Sequence, residues 1–147
     1  MYNHILIASD GSELAEKAVA HGLDLAKAVN AKVTAVTVSE PMWSAMPGEM
    51  AIAFPSEDYE KATRAVAKAT LSPISEAAAK KGVNCSVLHV RDQFPADGII
   101  AAAKDSGCDL IVMASHGRRG LAKLVLGSEA MKVVSSSTVP VLIYRSC

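Results

Sequence analysis

The chain has 147 residues, half of them hydrophobic, which predicts one domain over residues 1–147 with a sizeable core. Its formal net charge is zero, so nothing in the composition favours binding to nucleic acid or to an anionic membrane surface. No apolar run reaches the ~18 residues of a membrane helix, and no signal peptide precedes the first predicted strand. A cytoplasmic protein is therefore expected.

The three cysteines do not suit a disulfide framework or a zinc site, because their number is odd and no CxxC pair is present. Cys85 and Cys108 lie beside predicted strands and are expected to be buried thiols. Cys147 is the last residue and is expected to be exposed. Cysteine chemistry is thus not a candidate function.

Short β-branched runs alternate along the chain with segments of helical periodicity, which is typical of an α/β protein. Strands separated by helices imply right-handed crossovers and a parallel sheet that helices cover on both faces. The five predicted strands lie at residues 4–8, 33–38, 86–90, 110–114 and 139–144. The four predicted helices lie at residues 12–30, 58–81, 96–106 and 128–136.

Two places interrupt this alternation. The segment from Pro41 to Pro55 is rich in proline, methionine and aromatic residues and is predicted to be a long apolar loop. Two interpretations stay open for it, a functional loop and an insertion that packs on the core or on a dimer partner. Pro73 lies within a predicted helix and is expected to kink or interrupt it.

Small and polar residues follow three of the predicted strands, at residues 8–10, 38–40 and 113–117. In parallel sheets, ligands bind beyond the carboxyl ends of the strands, at the point where the strand order reverses. The three segments are therefore expected to converge on one crevice.

The stretch MASHGRRGLAKLVLGS, residues 113–128, is the strongest functional signal in the chain. Its small residues bring backbone N–H groups close to a ligand, and the helix that follows adds the positive end of its dipole. These features predict a phosphate site. Between its two halves lie Arg118, Arg119 and Lys123, which are interpreted either as solvated surface or as a basic lid over the phosphates.

Three residues have a structural and a functional interpretation. Asp10 can accept hydrogen bonds from an adenine or ribose, or cap the first helix together with Glu13. Ser128 can hold phosphate oxygens or serve as an ordinary N-cap. Val38 can line a pocket or belong to the core. The residue types alone leave these alternatives open.

The same residues resemble the nucleotide-binding signature of the universal stress protein family. The ATP-binding branch of that family has G-x-x-G, nine residues, then G-S or G-T. Here the pattern is Ala114-Ser115-His116-Gly117, residues 118–126, then Gly127-Ser128, with Ala114 in place of the first glycine. The opening Asp10-Gly11-Ser12, the run DLIVMASHGR and the closing VPVLI extend the resemblance over nearly the whole chain.

The resemblance implies a Rossmann-like three-layer sandwich similar to the adenine nucleotide alpha hydrolases, with a five-stranded parallel sheet and two helices on each face. It implies ATP as ligand, with AMP or cyclic AMP as variants and Mg²⁺ or Mn²⁺ accompanying the nucleotide. It also implies a homodimer through the strand from Val139 to Tyr144. The implied binding residues are Ala8, Ser9, Asp10, Val38, Met113, Ala114, His116, Gly117, Gly127, Ser128, Glu129 and Ala130.

The sequence contains no evident nucleophile or general base near His116, so binding is favoured over catalysis. The predicted function is a nucleotide-dependent binding switch in the stress response, with at most slow ATP hydrolysis. Nucleotide is expected to order the segment from Pro41 to Pro55 and residues 118–126, and so to change the surface offered to an unknown protein partner.

Two alternatives to this function stay open. One is a universal stress protein that acts only through protein contacts, favoured by Ala114 and by Glu129, where the family often has an apolar residue. Such a carboxylate would repel a triphosphate unless it points away or shares a metal ion. The other alternative is a weak nucleotide-hydrolysing enzyme.

Overall fold

The computed structural model describes residues 1–117 and 126–145, and its centre is a five-stranded, wholly parallel sheet. The strand order is β3-β2-β1-β4-β5, so the order reverses between β1 and β4. That reversal is the place where the loops after two neighbouring strands diverge and leave a crevice. The strands are β1 (His4–Ala8), β2 (Lys32–Ser39), β3 (Cys85–Arg91), β4 (Leu110–Ala114) and β5 (Val141–Tyr144).

In the described part of the chain, four longer helices and two short ones connect these strands. Three of the long helices end at a residue in the left-handed conformation, Asn30, Gly82 and Gly107, as the asparagine and glycines after each periodic run predict. The helices are α1 (Glu13–Val29), α2 (Met42–Ala45), α3 (Gly48–Ala53), α4 (Ser56–Lys81), α5 (Pro95–Ser106) and α6 (Ser128–Ser136).

The sheet separates two hydrophobic cores. Alternate residues of β1 face opposite sides, with Ile5 and Ile7 packed beneath α1 and α4, and Leu6 and Ala8 beneath α5 and α6. All four side chains are buried. The predicted fold class, a three-layer sandwich with two long helices on each face of a five-stranded parallel sheet, is confirmed.

The prediction of a long loop from Pro41 to Pro55 is wrong, because the segment contains helices α2 and α3. Each short helix, and α4 after them, has a proline as its N-cap residue. Proline tolerates this position because the N–H groups at a helix start have no partner within the helix. The prolines therefore mark where helices begin.

Two further boundaries differ from the prediction. Helix α4 runs through Pro73 without interruption, since Leu71 and Ile74 on either side are buried against the sheet and hold the helix in place. The last strand begins at Val141 instead of Val139, because Pro140 has no N–H to pair with a neighbouring strand. Within the described residues, no helix is long and apolar enough to cross a membrane.

The cysteines differ in environment. Cys108 is buried, and its burial, followed by the neighbouring Asp109 carboxylate, raises the pKa of the thiol to about 11. Cys85 is only half-buried, so the expectation of a buried thiol is confirmed for Cys108 alone. Cys147 lies outside the described residues.

Candidate functional site

A cavity of about 550 Å³ opens at the carboxyl ends of β1 and β4, where the strand order reverses. Its volume lies within the range of about 300–1,000 Å³ that is usual for small-molecule pockets. The structure brings all of the predicted site residues together around this cavity. They are Ala8, Ser9, Asp10, Val38, Met113, Ala114, His116, Gly117, Gly127, Ser128, Glu129 and Ala130.

The loop after β1 satisfies its own backbone. The Oγ atom of Ser9 accepts from the N–H of Gly11 at 3.1 Å, and Asp10 Oδ1 accepts from the N–H of Ser12 at 2.9 Å. The N-cap of α1 is Ser12, whose Oγ accepts from the N–H of Ala15 at 3.2 Å. The interpretation of Asp10 as the helix cap is therefore wrong. Its carboxylate holds the turn and lines the cavity.

Backbone hydrogen bonds hold the turn after β4 from two sides. The N–H of Ser115 donates to the carbonyl of Tyr144 at 2.8 Å, and the N–H of Gly127 donates to the carbonyl of Ser115 at 2.7 Å. A Cβ atom on Gly127 would lie 3.1 Å from that carbonyl and 3.3 Å from the Cα of His116. A side chain at position 127 would therefore crowd the turn, which would have to shift by a few tenths of an ångström.

The loops after β1 and β4 meet at Gly117. A Cβ atom on Gly117 would collide with the Oδ2 atom of Asp10. Beside this contact, Ser115 is buried and its Oγ lies 3.2 Å from Nδ1 of half-buried His116. The side chains that line this end of the cavity are therefore the carboxylate of Asp10 and the imidazole of His116, both set on tightly packed backbone.

Helix α6 begins at the cavity, and no side chain among the described residues caps its first turn. Gly127 is the N-cap, so the interpretation of Ser128 as the cap is wrong, and Ser128 is the first helical residue. Glycine has no side chain with which to accept from the first N–H groups of the helix. These groups, on Ser128, Glu129 and Ala130, border the cavity and can bind an anion.

Glu129 is turned toward another helix. Its Oε2 accepts from the N–H of Ala96 at 2.8 Å, and its Oε1 lies 3.6 Å from Nζ of Lys132. The N-cap residue of α5 is Phe94, which supplies no side-chain acceptor, and Pro95 at the first turn has no N–H. The carboxylate of Glu129 therefore caps α5, a role that its place in the sequence after Gly127 did not reveal.

An apolar wall faces these polar groups. Ala15, Val36, Pro95 and Ile99 line the cavity beside Val38, and the sequence analysis missed all four. The signal was present, because residues 36 and 38 share one face of a strand and residues 95 and 99 one face of a helix.

Along this apolar wall, helix α5 lies close to β2. A Cβ atom on Gly98 would be 2.9 Å from Cγ2 of Val38, so only glycine allows the helix to approach this far. Val38 packs against the core beneath α5 and α6 and also lines the cavity. Val38 is therefore both a core residue and a lining residue of the cavity, so the two interpretations from the sequence are compatible.

Glu40 lies at the rim of the cavity and was also missed as a lining residue. The hydroxyl of Tyr59 on α4 donates to the backbone carbonyl of Glu40 at 2.5 Å. Burial raises the pKa of Tyr59, and the nearby carboxylates of Glu40 and Asp92 raise it further, which keeps the hydroxyl a donor. Helix α4 thus fixes the end of β2 at the cavity.

The cavity is acidic over the part of the chain that the structure describes. Its lining includes the carboxylates of Asp10, Glu40 and Glu129 and no lysine or arginine. Among residues 1–117 and 126–145, no three histidine, cysteine, aspartate or glutamate side chains are grouped so that they could hold a metal ion. The predicted basic residues Arg118, Arg119 and Lys123 lie outside the described residues.

Comparison with known proteins agrees with this architecture. Residues 1–145 match the model of the universal stress protein family. Universal stress protein YxiE of Bacillus subtilis is 34% identical, over 99% of this chain and all of its own length. A universal stress protein of Thermus aquaticus is 32% identical, over 99% of this chain and all of its own length.

Solved structures give the same result. That of MJ0577, a universal stress protein of Methanocaldococcus jannaschii, superposes with a TM-score of 0.83 at 27% identity and covers 100% of this chain and 98% of its own. A universal stress protein in complex with cAMP superposes with a TM-score of 0.73 at 26% identity, over 99% of both chains. The chain belongs to the universal stress protein family.

Proposed function

We propose that this protein binds an adenine nucleotide in the cavity and acts as a nucleotide-dependent binding switch in the stress response. The observation that carries the proposal is the pairing of an apolar wall with an open helix N-terminus across one cavity at the strand-order reversal. A nucleotide has the matching parts, a flat apolar base and an anionic phosphate group. ATP, AMP and cyclic AMP share these parts.

The residues present fit the base and ribose. Val36, Val38 and Ile99 offer apolar surface of the kind that packs on an adenine ring. The Asp10 carboxylate at the end of β1 is an acceptor for the adenine amino group or for a ribose hydroxyl. This half of the cavity supports the interpretation of Asp10 and Val38 as binding residues.

The residues present also fit a phosphate. The first N–H groups of α6 and the Ser128 hydroxyl are donors at the positive end of a helix of nine residues. Mg²⁺ or Mn²⁺ would accompany the phosphates, because Mg²⁺ is usually held by substrate phosphates with one or two protein carboxylates. Hydrolysis would be slow, since His116 contacts the Ser115 hydroxyl and, among the described residues, makes no hydrogen bond to a carboxylate.

The relative solved with cAMP supports the class of ligand. Its fold superposes on nearly the whole of this chain, and its ligand, cAMP, contains an adenine base and one phosphate. In this chain the cavity at the carboxyl ends of β1 and β4 would hold a ligand of the same chemistry.

A switch needs a surface that responds to the ligand. We assign this response to the segment from Pro41 to Pro55, which follows β2 in the sequence, and to residues 118–126, which separate the two halves of the phosphate motif in the sequence. Trp43 of the first segment makes an edge-to-face contact with Phe94, the N-cap residue of α5, at 5.7 Å between ring centres. A homodimer through the segment from Val139 to Tyr144 fits the position of β5 at an edge of the sheet.

The test is isothermal titration of nucleotide-free protein with ATP plus Mg²⁺, AMP and cyclic AMP. Micromolar binding is expected, and Gly127→Val is expected to weaken it at least about tenfold, because the new side chain pushes the turn at Ser115 away from α6. Ala69→Val, at an exposed position on α4, is the control because it adds bulk across the sheet from α5 and α6.

Circular dichroism would establish that both variants are folded. Absence of heat with every nucleotide, and of nucleotide in the purified protein, would contradict the proposal. That result would favour a family member that acts through protein contacts alone. Rapid turnover of ATP that depends on His116 would favour the enzyme instead.

A further inference from the structure

We infer that Glu129 is a specificity-determining residue that makes the site favour a nucleotide with one phosphate over a triphosphate. The inference rests on the proposed nucleotide site and deepens it. It follows from where the carboxylate of Glu129 lies and from the charges that surround it.

The N-termini of α5 and α6 both border the cavity. The start of α5 contributes Pro95 and the start of α6 contributes Ser128 to its lining. Each helix start attracts negative charge through its dipole and its free N–H groups. A cavity with two such ends would suit a ligand with several charged phosphates.

Glu129 occupies one of these helix N-termini, which is then not available to the ligand. Its Oε2 accepts from the N–H of Ala96, the first N–H available on α5 after Pro95, at 2.8 Å. The protein's own carboxylate therefore occupies the anion position at α5. Glu129 also lies in the first turn of α6, so the same charge offsets part of the positive end of that helix.

Among the described residues, Lys132 lies 3.6 Å from the carboxylate of Glu129, but its side chain is 64% exposed and its pairing with Glu129 is weakened by solvent. The negative charge of Glu129 therefore still acts on a ligand in the cavity that this residue lines. Each additional phosphate charge is repelled by this carboxylate, whereas a single phosphate at α6 still gains the helix N–H groups.

The experiment compares metal-free ATP with AMP by isothermal titration, using the wild-type chain and Glu129→Gln. Glutamine keeps the shape and an oxygen that accepts from Ala96, so the cap survives and only the charge is lost. The ratio of the ATP to the AMP dissociation constant is expected to fall about fivefold in the variant. Glu76→Gln on α4, across the sheet, is the matched control and is expected to leave the ratio unchanged.

A second measurement needs no variant. If repulsion sets the preference, raising the salt from about 50 mM to about 500 mM should bring the ATP dissociation constant of the wild type closer to that for AMP. A ratio that does not change in Glu129→Gln, or that rises with salt, would overturn the inference and leave the proposed function intact. Failure of every nucleotide to bind either protein would overturn both.

Discussion

The N-termini of α1 and α6 follow neighbouring strands of the sheet, yet they are built in opposite ways. The start of α1 is closed by the Oγ atom of Ser12, and the short loop before it satisfies its own backbone. The start of α6 has Gly127 as its N-cap and is open to the cavity. The first arrangement stabilises the fold, and the second leaves donors for a ligand.

The difference shows that a pattern of small and polar residues after a strand does not by itself reveal a binding site. The loops after β1 and β4 both contain glycine and serine. What distinguishes them is whether a side chain of the loop accepts from the first N–H groups of the helix. Substitutions that exchange or disrupt these roles test the comparison.

The largest effect is expected where the two loops touch. Gly117→Val would place a Cβ atom against the carboxylate of Asp10, so that either the β4 turn or Asp10 must move out of the cavity lining. We expect nucleotide affinity to fall roughly tenfold or more, about 1.4 kcal/mol, as measured by titration. Ala69→Val again provides the control.

If the Gly117→Val protein binds nucleotide as tightly as the wild type, the loop after β1 does not contribute to nucleotide binding. In that case the contact with Gly117 would only position the turn, and Asp10 would have no part in recognition.

An intermediate effect is expected from exchanging the two serines for alanine. Ser12→Ala should lower the free energy of unfolding by about 1 kcal/mol, because it removes the cap of α1, whereas Ser128→Ala should change it by less than about 0.5 kcal/mol. Nucleotide affinity should show the reverse order, weakened about threefold in Ser128→Ala only. Urea unfolding and titration of both variants measure the two quantities.

Equal losses of stability in these two variants would contradict the comparison. The Ser128 hydroxyl would then act as a structural group in the first turn of α6, in spite of the glycine at its N-cap.

The smallest effect concerns the opposite end of the sheet, where backbone donors are again satisfied by a side chain. Asp109 accepts from the N–H of Asn3 at 2.9 Å and from that of His4 at 3.1 Å. Burial alone would raise the pKa of Asp109, but these hydrogen bonds lower it below its ordinary value. A carboxylate with a lowered pKa stabilises the folded state above its unfolded pKa of about 3.9, and this stability is lost as the pH falls.

Asp109→Asn should therefore be less stable than the wild type at pH 7, by less than about 1 kcal/mol because the site is partly exposed. The difference should shrink as the pH falls below about 4. Urea unfolding across this range measures it, and a difference that does not depend on pH would show that the charge of Asp109 has no role.

The fold was predictable because its signals are local and repeated. The β-branched runs that form the strands and the glycines that end α4 and α5 each identify an element without reference to distant residues. The prolines were harder to interpret, since the same residue that breaks a helix interior also suits its start. Pro47 lies at the start of α3, whereas Pro73 lies inside α4 without interrupting it.

The site was predictable in its backbone turns and not in its side-chain contacts. Both candidate caps, Asp10 and Ser128, lay within two positions of the true one, and only geometry separates such neighbours. The contact of Glu129 with Ala96 joins residues 33 positions apart, so no local sequence pattern predicts it. The apolar wall was missed because valine and isoleucine look the same in a core and in a pocket.

The contact between Trp43 and Phe94 has a practical consequence. Trp43 is the only tryptophan in the chain, and it is 69% exposed while its ring lies 5.7 Å from that of Phe94, next to cavity-lining Pro95. Its fluorescence therefore comes from a single known place beside the cavity. The emission spectrum offers an intrinsic, label-free optical signal for events at the junction of α2 and α5.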